Sequence, residues 1–340
     1  MIGLYASLFA ASFAVTAVLV PLVMRLARRT GFLDHPGPRK IHTEPIPYGG
    51  GIAVAAGVLG TAVGGNLGGT LPKSLIIYAL GALAILALGL VDDRRRLSAR
   101  FKLFVQTIIA TGVALGGGRF ELFDAAPALS VAVTVLWILG VTNAFNLLDH
   151  MDGLSSGVAL LSGAAFLVVA IQTGQVFIGS LLVPLLGACA AFLLFNFPPA
   201  RIFLGDAGSL FIGFWISCLT ISFTFYDRAH FRLYTYFVPL AILAVPLFDT
   251  AGVIVIRLLR GRPIFEGDTN HLAHRLTRLG MSRRLAVLTI YALSLFAGVS
   301  AVLLYHVGTT GAVLVLVQLL LTFGIITILE AAGRGRADGA

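Results

Sequence analysis

The chain has 340 residues, 58% of them hydrophobic and only 11% charged, and carries a formal net charge of +9. Soluble domains carry roughly 25% charged residues, so an ordinary water-soluble globule is excluded. The basic excess lies in short segments between apolar runs, where membrane orientation explains it and a nucleic-acid partner does not.

A bilayer core asks for about 20 apolar residues per helix. Eleven stretches qualify, at residues 2–24, 49–66, 74–91, 102–117, 128–145, 157–172, 175–195, 207–225, 236–256, 285–305 and 310–329. Backbone groups in hydrocarbon must bond internally, so each is expected to be helical. No basic residue precedes the first stretch and Arg25, Arg28 and Arg29 follow it, the reverse of a secretory signal, so it reads as a retained helix. Cys189 and Cys218 lie inside apolar runs and read as small core residues, with no disulfide framework and no zinc site. The expectation is an all-α polytopic membrane protein with one domain over residues 1–330 and a disordered tail over 331–340.

Only Lys73, Arg119, Arg228 and Arg232 fall on one side of this arrangement, and the other twenty of the 24 basic residues fall opposite. The basic side is expected to be cytoplasmic, with the N-terminus outside and the C-terminus inside. Of the acidic residues between spans, only Glu121, Asp124 and Asp227 lie outside. Polar chemistry therefore gathers on one face, whereas a transporter more often places it near mid-membrane.

Five inner segments carry candidate chemistry. Residues 31–51, GFLDHPGPRKIHTEPIPYGGG, break any helix with four prolines and offer Lys40 and His42 to a phosphate or nucleotide; a solvated turn is the alternative. Asp92 and Asp93 end the third span before Arg94, Arg95 and Arg96, and their repulsion calls for a divalent cation or a basic partner. In NAFNLLDHMDGL, residues 143–154, Asn146, Asp149 and Asp152 recur at i, i+3 and i+6 and share one face if the turn is helical. In FNFPPARIFLGDAGSLFIGF, residues 195–214, Asp206 is either a helix N-cap or a metal ligand, and Phe203 either core or a stacking platform. Asp249 lies inside the ninth span, where an ionisable group costs about 2.5–3.5 kcal/mol, so it is expected to face the bundle interior, as a structural pair or, alternatively, in a catalytic role. The fifth segment, residues 257–284, holds His271 and His274 three apart, which suits phosphate better than zinc.

Together, GLVDDRRRLSARFK, NAFNLLDHMDGL and FNFPPARIFLGDAGSLFIGF resemble the polyprenyl-phosphate N-acetylhexosamine-1-phosphate transferases of glycosyltransferase family 4, over about residues 31–280. Eleven spans with an outer N-terminus also match that family. The resemblance implies transfer of an N-acetylhexosamine 1-phosphate, N-acetylglucosamine first among them, from a UDP-sugar to undecaprenyl phosphate, with release of UMP. It implies a bacterial inner-membrane enzyme with its active site facing the cytoplasm, starting a cell-envelope polysaccharide. Magnesium is the implied cofactor, with manganese able to substitute, and a homodimer is compatible with the family. Asp92, Asp93 and Asp206 become the catalytic set, and Asp206 and Asp149 the metal ligands. Lys40, His42, Lys102, Asn146, Asp149, Asp152, Asn196, Phe203, His271 and His274 become substrate contacts, Phe203 by stacking on uracil. Two positions depart from the family pattern: Ala273 interrupts its histidine string and His150 stands where glycine is usual. The alternatives are a transporter of a phosphorylated lipid or anion and a non-enzymatic scaffold.

Overall fold

A computed structural model of the chain describes residues 1–36, 44–66, 70–120, 126–223, 233–261, 263 and 271–337. The chain divides into two compact units, Met1–Phe223 and Thr224–Ala340, where the sequence suggested one domain over 1–330.

The first unit holds eight helices: α1 (Ile2–Thr30), α2 (Gly50–Gly64), α3 (Lys73–Arg95), α4 (Ala99–Leu115), α5 (Pro127–Leu148), α6 (Leu154–Gln172), α7 (Val176–Asn196) and α8 (Gly205–Ser222). Gly31, at φ 68°, closes α1 by returning its N–H to the Ala27 carbonyl, a left-handed stop that glycine adopts without a Cβ penalty. Between α1 and α2 the chain forms one feature that hydropathy did not suggest. Two short strands, β1 (Leu33–Asp34) and β2 (Ile46–Pro47), pair antiparallel with Leu33 opposite Pro47 and Asp34 opposite Ile46.

α8 is the centre of this unit and packs on α2, α3, α5, α6 and α7. Leu210, Phe211, Ile212, Phe214 and Trp215 on it are fully buried, as expected of a helix apolar on every side. α1 by contrast leaves Ile2, Val18 and Leu26 largely exposed, which suits a surface facing lipid.

The second unit contains a 3-10 turn (Leu233–Phe237), α9 (Val238–Ile242), α10 (Ala244–Leu259), α11 (Leu272–Arg278), α12 (Arg283–Leu303) and α13 (Thr309–Ala337). α12 packs on α9, α10, α11 and α13, and its N-cap Ser282 accepts the Leu285 N–H at 3.3 Å.

Each of the eleven predicted spans falls on helix. Among the described residues, eight helices are long and apolar enough to cross a bilayer, and a bent pair brings the number to nine. The bent pair is the ninth span, Tyr234–Ile242 and Ala244–Leu259, which turn through 74°. Pro246, just after the break, has no N–H to return to the Ile242 carbonyl, which weakens the helix there. α2, at 15 residues, and α4, at 17, are shorter than the eight. α13 remains helical to Ala337, past the point where a disordered tail was expected.

Candidate active site

The N-terminus of α8 is held by a carboxylate from another helix. Asp93, in the last turn of α3, accepts the Asp206 N–H on Oδ1 at 2.8 Å and the Ala207 N–H on Oδ2 at 3.2 Å. The first amides of a helix have no intrahelical acceptor and carry partial positive charge, so an anion there is favoured. Close approach requires glycine. A Cβ on Gly205, already at φ 75°, would lie 2.6 Å from Asp93 Oδ2, and one on Gly89 of α3 would lie 2.4 Å from Ala207 Cα. From α2, a Cβ on Gly51 would meet the Gly208 nitrogen at 2.3 Å. Gly50 and Gly51 thus serve close backbone approach.

This anchoring presents Asp206 to side chains from α3, α4 and α5. Lys102 Nζ, on α4, lies 2.8 Å from Asp206 Oδ2 and 2.5 Å from Asp92 Oδ2. The other Asp92 oxygen accepts the Leu97 N–H at 2.6 Å. Asn146, in the last turn of α5, donates Nδ2 to Asp206 Oδ1 and to Ser209 Oγ, both at 3.0 Å. The Asp pair therefore takes a lysine and backbone amides rather than the arginines that follow it. Asp206 is not an N-cap, because its carboxylate faces Lys102 and Asn146.

Asp149, Asp152 and Asn196 close the site on the α5 side. α5 ends at Leu148 and Asp149 is its C-cap, so the shared helical face expected of Asn146, Asp149 and Asp152 does not extend to Asp152. Asp152 instead turns to the segment after α7 and accepts the Ala200 N–H at 3.0 Å. Asn196, 3% exposed, accepts the Gly153 N–H at 2.8 Å and donates to the Ile202 carbonyl at 2.9 Å. Both ends of its amide staple one segment to the next.

Asp149 is the least compensated group. Burial, then the charges of Asp206, Asp93 and Asp152, push its pKa well above the ordinary carboxylate range, and no cation acts in the opposite direction. A divalent ion beside Asp149 and Asp206 would relieve that repulsion, so the donor set fits the magnesium that the resemblance implies. No three side chains of this unit bring metal-ligand atoms within 4.8 Å of one another among the described residues. Magnesium takes one or two carboxylates and completes its shell with water and substrate phosphate.

An aromatic row borders the carboxylates. Half-buried Phe203 lies 5.9 Å, centroid to centroid, from Tyr48, which lies 5.6 Å from Phe32. The Arg94 guanidinium sits 5.2 Å from the Phe32 centroid. The Tyr48 hydroxyl bonds Asp34, and its pKa is raised by burial first and then by Asp34, Asp93 and Asp206, so the phenol stays neutral.

In the second unit, Asp249 is 1% exposed and pairs as expected. Its Oδ2 lies 2.9 Å from His271 Nδ1, its Oδ1 accepts the Leu272 N–H at 2.5 Å, and Arg275 stands 3.9 Å away. Asp249 thereby caps α11 and orients His271. His274 lies 6.5 Å from His271, ring to ring. Burial, followed by His271 and Arg278, lowers its pKa and favours the neutral ring.

Asp92, Asp93, Lys102, Asn146, Asp149 and Asp206 thus come together, with Asp152, Asn196 and Phe203 on adjoining segments, and Lys40 and His42 lie outside the described residues. Tyr48, Asp34 and Ser209 join the site without having been singled out. Their only signal in the sequence is position, Tyr48 and Asp34 in the first polar segment and Ser209 one turn after Asp206.

The family model described as glycosyl transferase family 4 matches residues 75–224. The chain is 34% identical over 305 residues to a probable undecaprenyl-phosphate N-acetylglucosaminyl 1-phosphate transferase of Bacillus subtilis, covering 87% of this chain and 84% of that one. It is 31% identical over 352 residues to a decaprenyl-phosphate N-acetylglucosaminephosphotransferase of Mycobacterium tuberculosis, covering 92% and 85%. It is also 28% identical to an undecaprenyl-phosphate alpha-N-acetylglucosaminyl 1-phosphate transferase of Yersinia pestis, covering 82% and 78%.

Proposed function

The chain belongs to glycosyl transferase family 4, and from that premise we propose that it transfers N-acetylglucosamine 1-phosphate from UDP-N-acetylglucosamine to a polyprenyl phosphate and releases UMP. The names of its relatives support the sugar phosphate and the lipid acceptor. The observation that carries the reading is the meeting of Asp92, Asp206, Lys102 and Asn146, from four helices, at the anchored N-terminus of α8.

In the reaction an oxygen of the lipid phosphate attacks the β-phosphorus. A new P–O bond forms, the bond from the β-phosphorus to the bridging oxygen breaks, and UMP leaves with that oxygen. Asp206 and Asp149 would hold magnesium, which would offset charge on the pyrophosphate when bound. Lys102 reaches both Asp92 and Asp206, and its ammonium stabilises negative charge on the phosphoryl oxygens. Asp93 positions Asp206 through α8, because its two oxygens accept the first amides of that helix. Asp92 is the nearest candidate to accept a proton from the lipid phosphate, a modest contribution since that phosphate is largely ionised near neutral pH. Phe203 gives the uracil a flat partner. The basic-side count supports a cytoplasmic active site in a bacterial inner membrane.

Purified protein would be incubated with a panel of UDP-sugars, undecaprenyl phosphate and magnesium. The reading expects UMP and a glycosyl-diphospholipid in equal amounts, with UDP-N-acetylglucosamine preferred. Lipid or anion flux in vesicles without UMP formation would overturn it in favour of a transporter.

A further inference from the structure

The side chain of Tyr48 is held at both ends and against two neighbouring rings. The Pro47 carbonyl accepts the Phe203 N–H at 2.8 Å and the Gly50 N–H donates to the Phe203 carbonyl at 3.0 Å, so residues 47–50 clamp the Phe203 main chain. Within that clamp the Tyr48 ring leans on the Phe203 ring at 56° and on Phe32 at 37°. Its hydroxyl is tied to Asp34, and Asp34 is fixed by its strand pairing opposite Ile46. Phe203 alone could turn about its side-chain torsions. With a pinned ring against it, that freedom is lost before any ligand arrives, and a preorganised platform binds more tightly.

We propose that Tyr48 is a positioning residue for the nucleotide, holding the Phe203 ring in the attitude on which the base stacks, through a ring that its bond to Asp34 keeps in place. The proposal rests on the reading of Phe203 as the nucleobase platform. The occupant is a pyrimidine nucleotide, and UMP, the expected product, is the probe.

The test is a double-mutant cycle in the purified full-length protein, using Tyr48→Leu, Tyr48→Phe, Phe203→Leu and the Tyr48→Leu/Phe203→Leu pair. Inhibition by UMP and the KM for the nucleotide sugar are measured beside kcat and thermal midpoint. Tyr48→Leu is expected to weaken UMP and raise KM severalfold, up to about tenfold, the scale of one aromatic pair, with kcat little changed. Tyr48→Phe, which keeps the ring contacts but loses the bond to Asp34, should fall between the native protein and Tyr48→Leu, which also shows that the site still folds around a conservative replacement. The pair should be no worse than Phe203→Leu alone. Additive losses in the pair, a fall in kcat at unchanged KM, or equal harm from Tyr48→Phe would each overturn the proposal. Native protein that forms no UMP would instead overturn the activity itself. Native turnover with Phe203→Leu still fully inhibited by UMP would remove the platform, and with it the role of Tyr48.

Discussion

Asp93 accepts the backbone N–H of Asp206 at 2.8 Å, so one acidic residue of the cluster is placed by another. Two carboxylates drawn together would ordinarily repel. Here the amides at the start of α8 supply the positive charge that lets Asp93 approach, and Asp206 rides on the same turn.

Replacing Asp93 by Asn tests this anchor. The amide nitrogen would face a backbone N–H and leave a donor without an acceptor, a loss of about 1–3 kcal/mol. The expected outcome is a lower melting temperature in detergent together with lost UMP release. Asp92→Asn, on a side chain that accepts no backbone amide of α8, should lose activity with a smaller change in melting.

Gly205→Ala should reproduce the defect without altering any charge. Its Cβ would fall 2.6 Å from Asp93 Oδ2 at a residue with φ 75°. The left-handed backbone adds about 1–2 kcal/mol of strain. Activity should collapse while the far-ultraviolet helical signal is retained.

Lys102→Met removes the ammonium that bridges Asp92 and Asp206. Loss of one positioned charge at a phosphoryl-transfer site lowers turnover by about a hundredfold or more. Steady-state UMP release would show this. Manganese binding followed by paramagnetic resonance should tighten, because a competing cation has left Asp206.

Asp149 makes a pH-dependent prediction. Its folded pKa is raised, so the folded state holds a proton that the unfolded state gives up. Stability is therefore lost as pH rises from the ordinary carboxylate range, about pH 4, through the folded value. Asp149→Asn should melt higher than the native chain near neutral pH, flatten that part of the profile and abolish turnover. Melting curves from pH 4 to pH 9 would check the first two points.

Hydropathy alone placed the helices, because a bilayer demands long apolar runs and little else. It did not reveal the bend of the ninth span, because Pro21 and Pro184 sit inside unbroken helices and Pro246 reads no differently in the sequence. The Asp92–Asp93 pair, Asn146, Asp149 and Asp206 were legible as carboxylates and amides in otherwise apolar surroundings. The division of labour among them was not. The acceptor role of Asp93 depends on amides 113 and 114 residues away, and the staple made by Asn196 depends on Gly153 and Ile202. Partners as distant as Asp206, Ala207 and Gly153 leave no local spacing to read. Tyr48 looked like one more residue of a Pro- and Gly-rich turn, because its partners Phe32 and Asp34 stand at the far end of that segment and Phe203 lies on another.

The most direct measurement is UMP release by the native chain and by Asp206→Asn, each purified and given UDP-N-acetylglucosamine, polyprenyl phosphate and magnesium. The account predicts stoichiometric UMP and lipid product from the first and none above background from the second, with both proteins folded. Asp206→Asn turning over within about threefold of native, where the loss of a residue that stabilises the transition state costs a hundredfold or more, would contradict it.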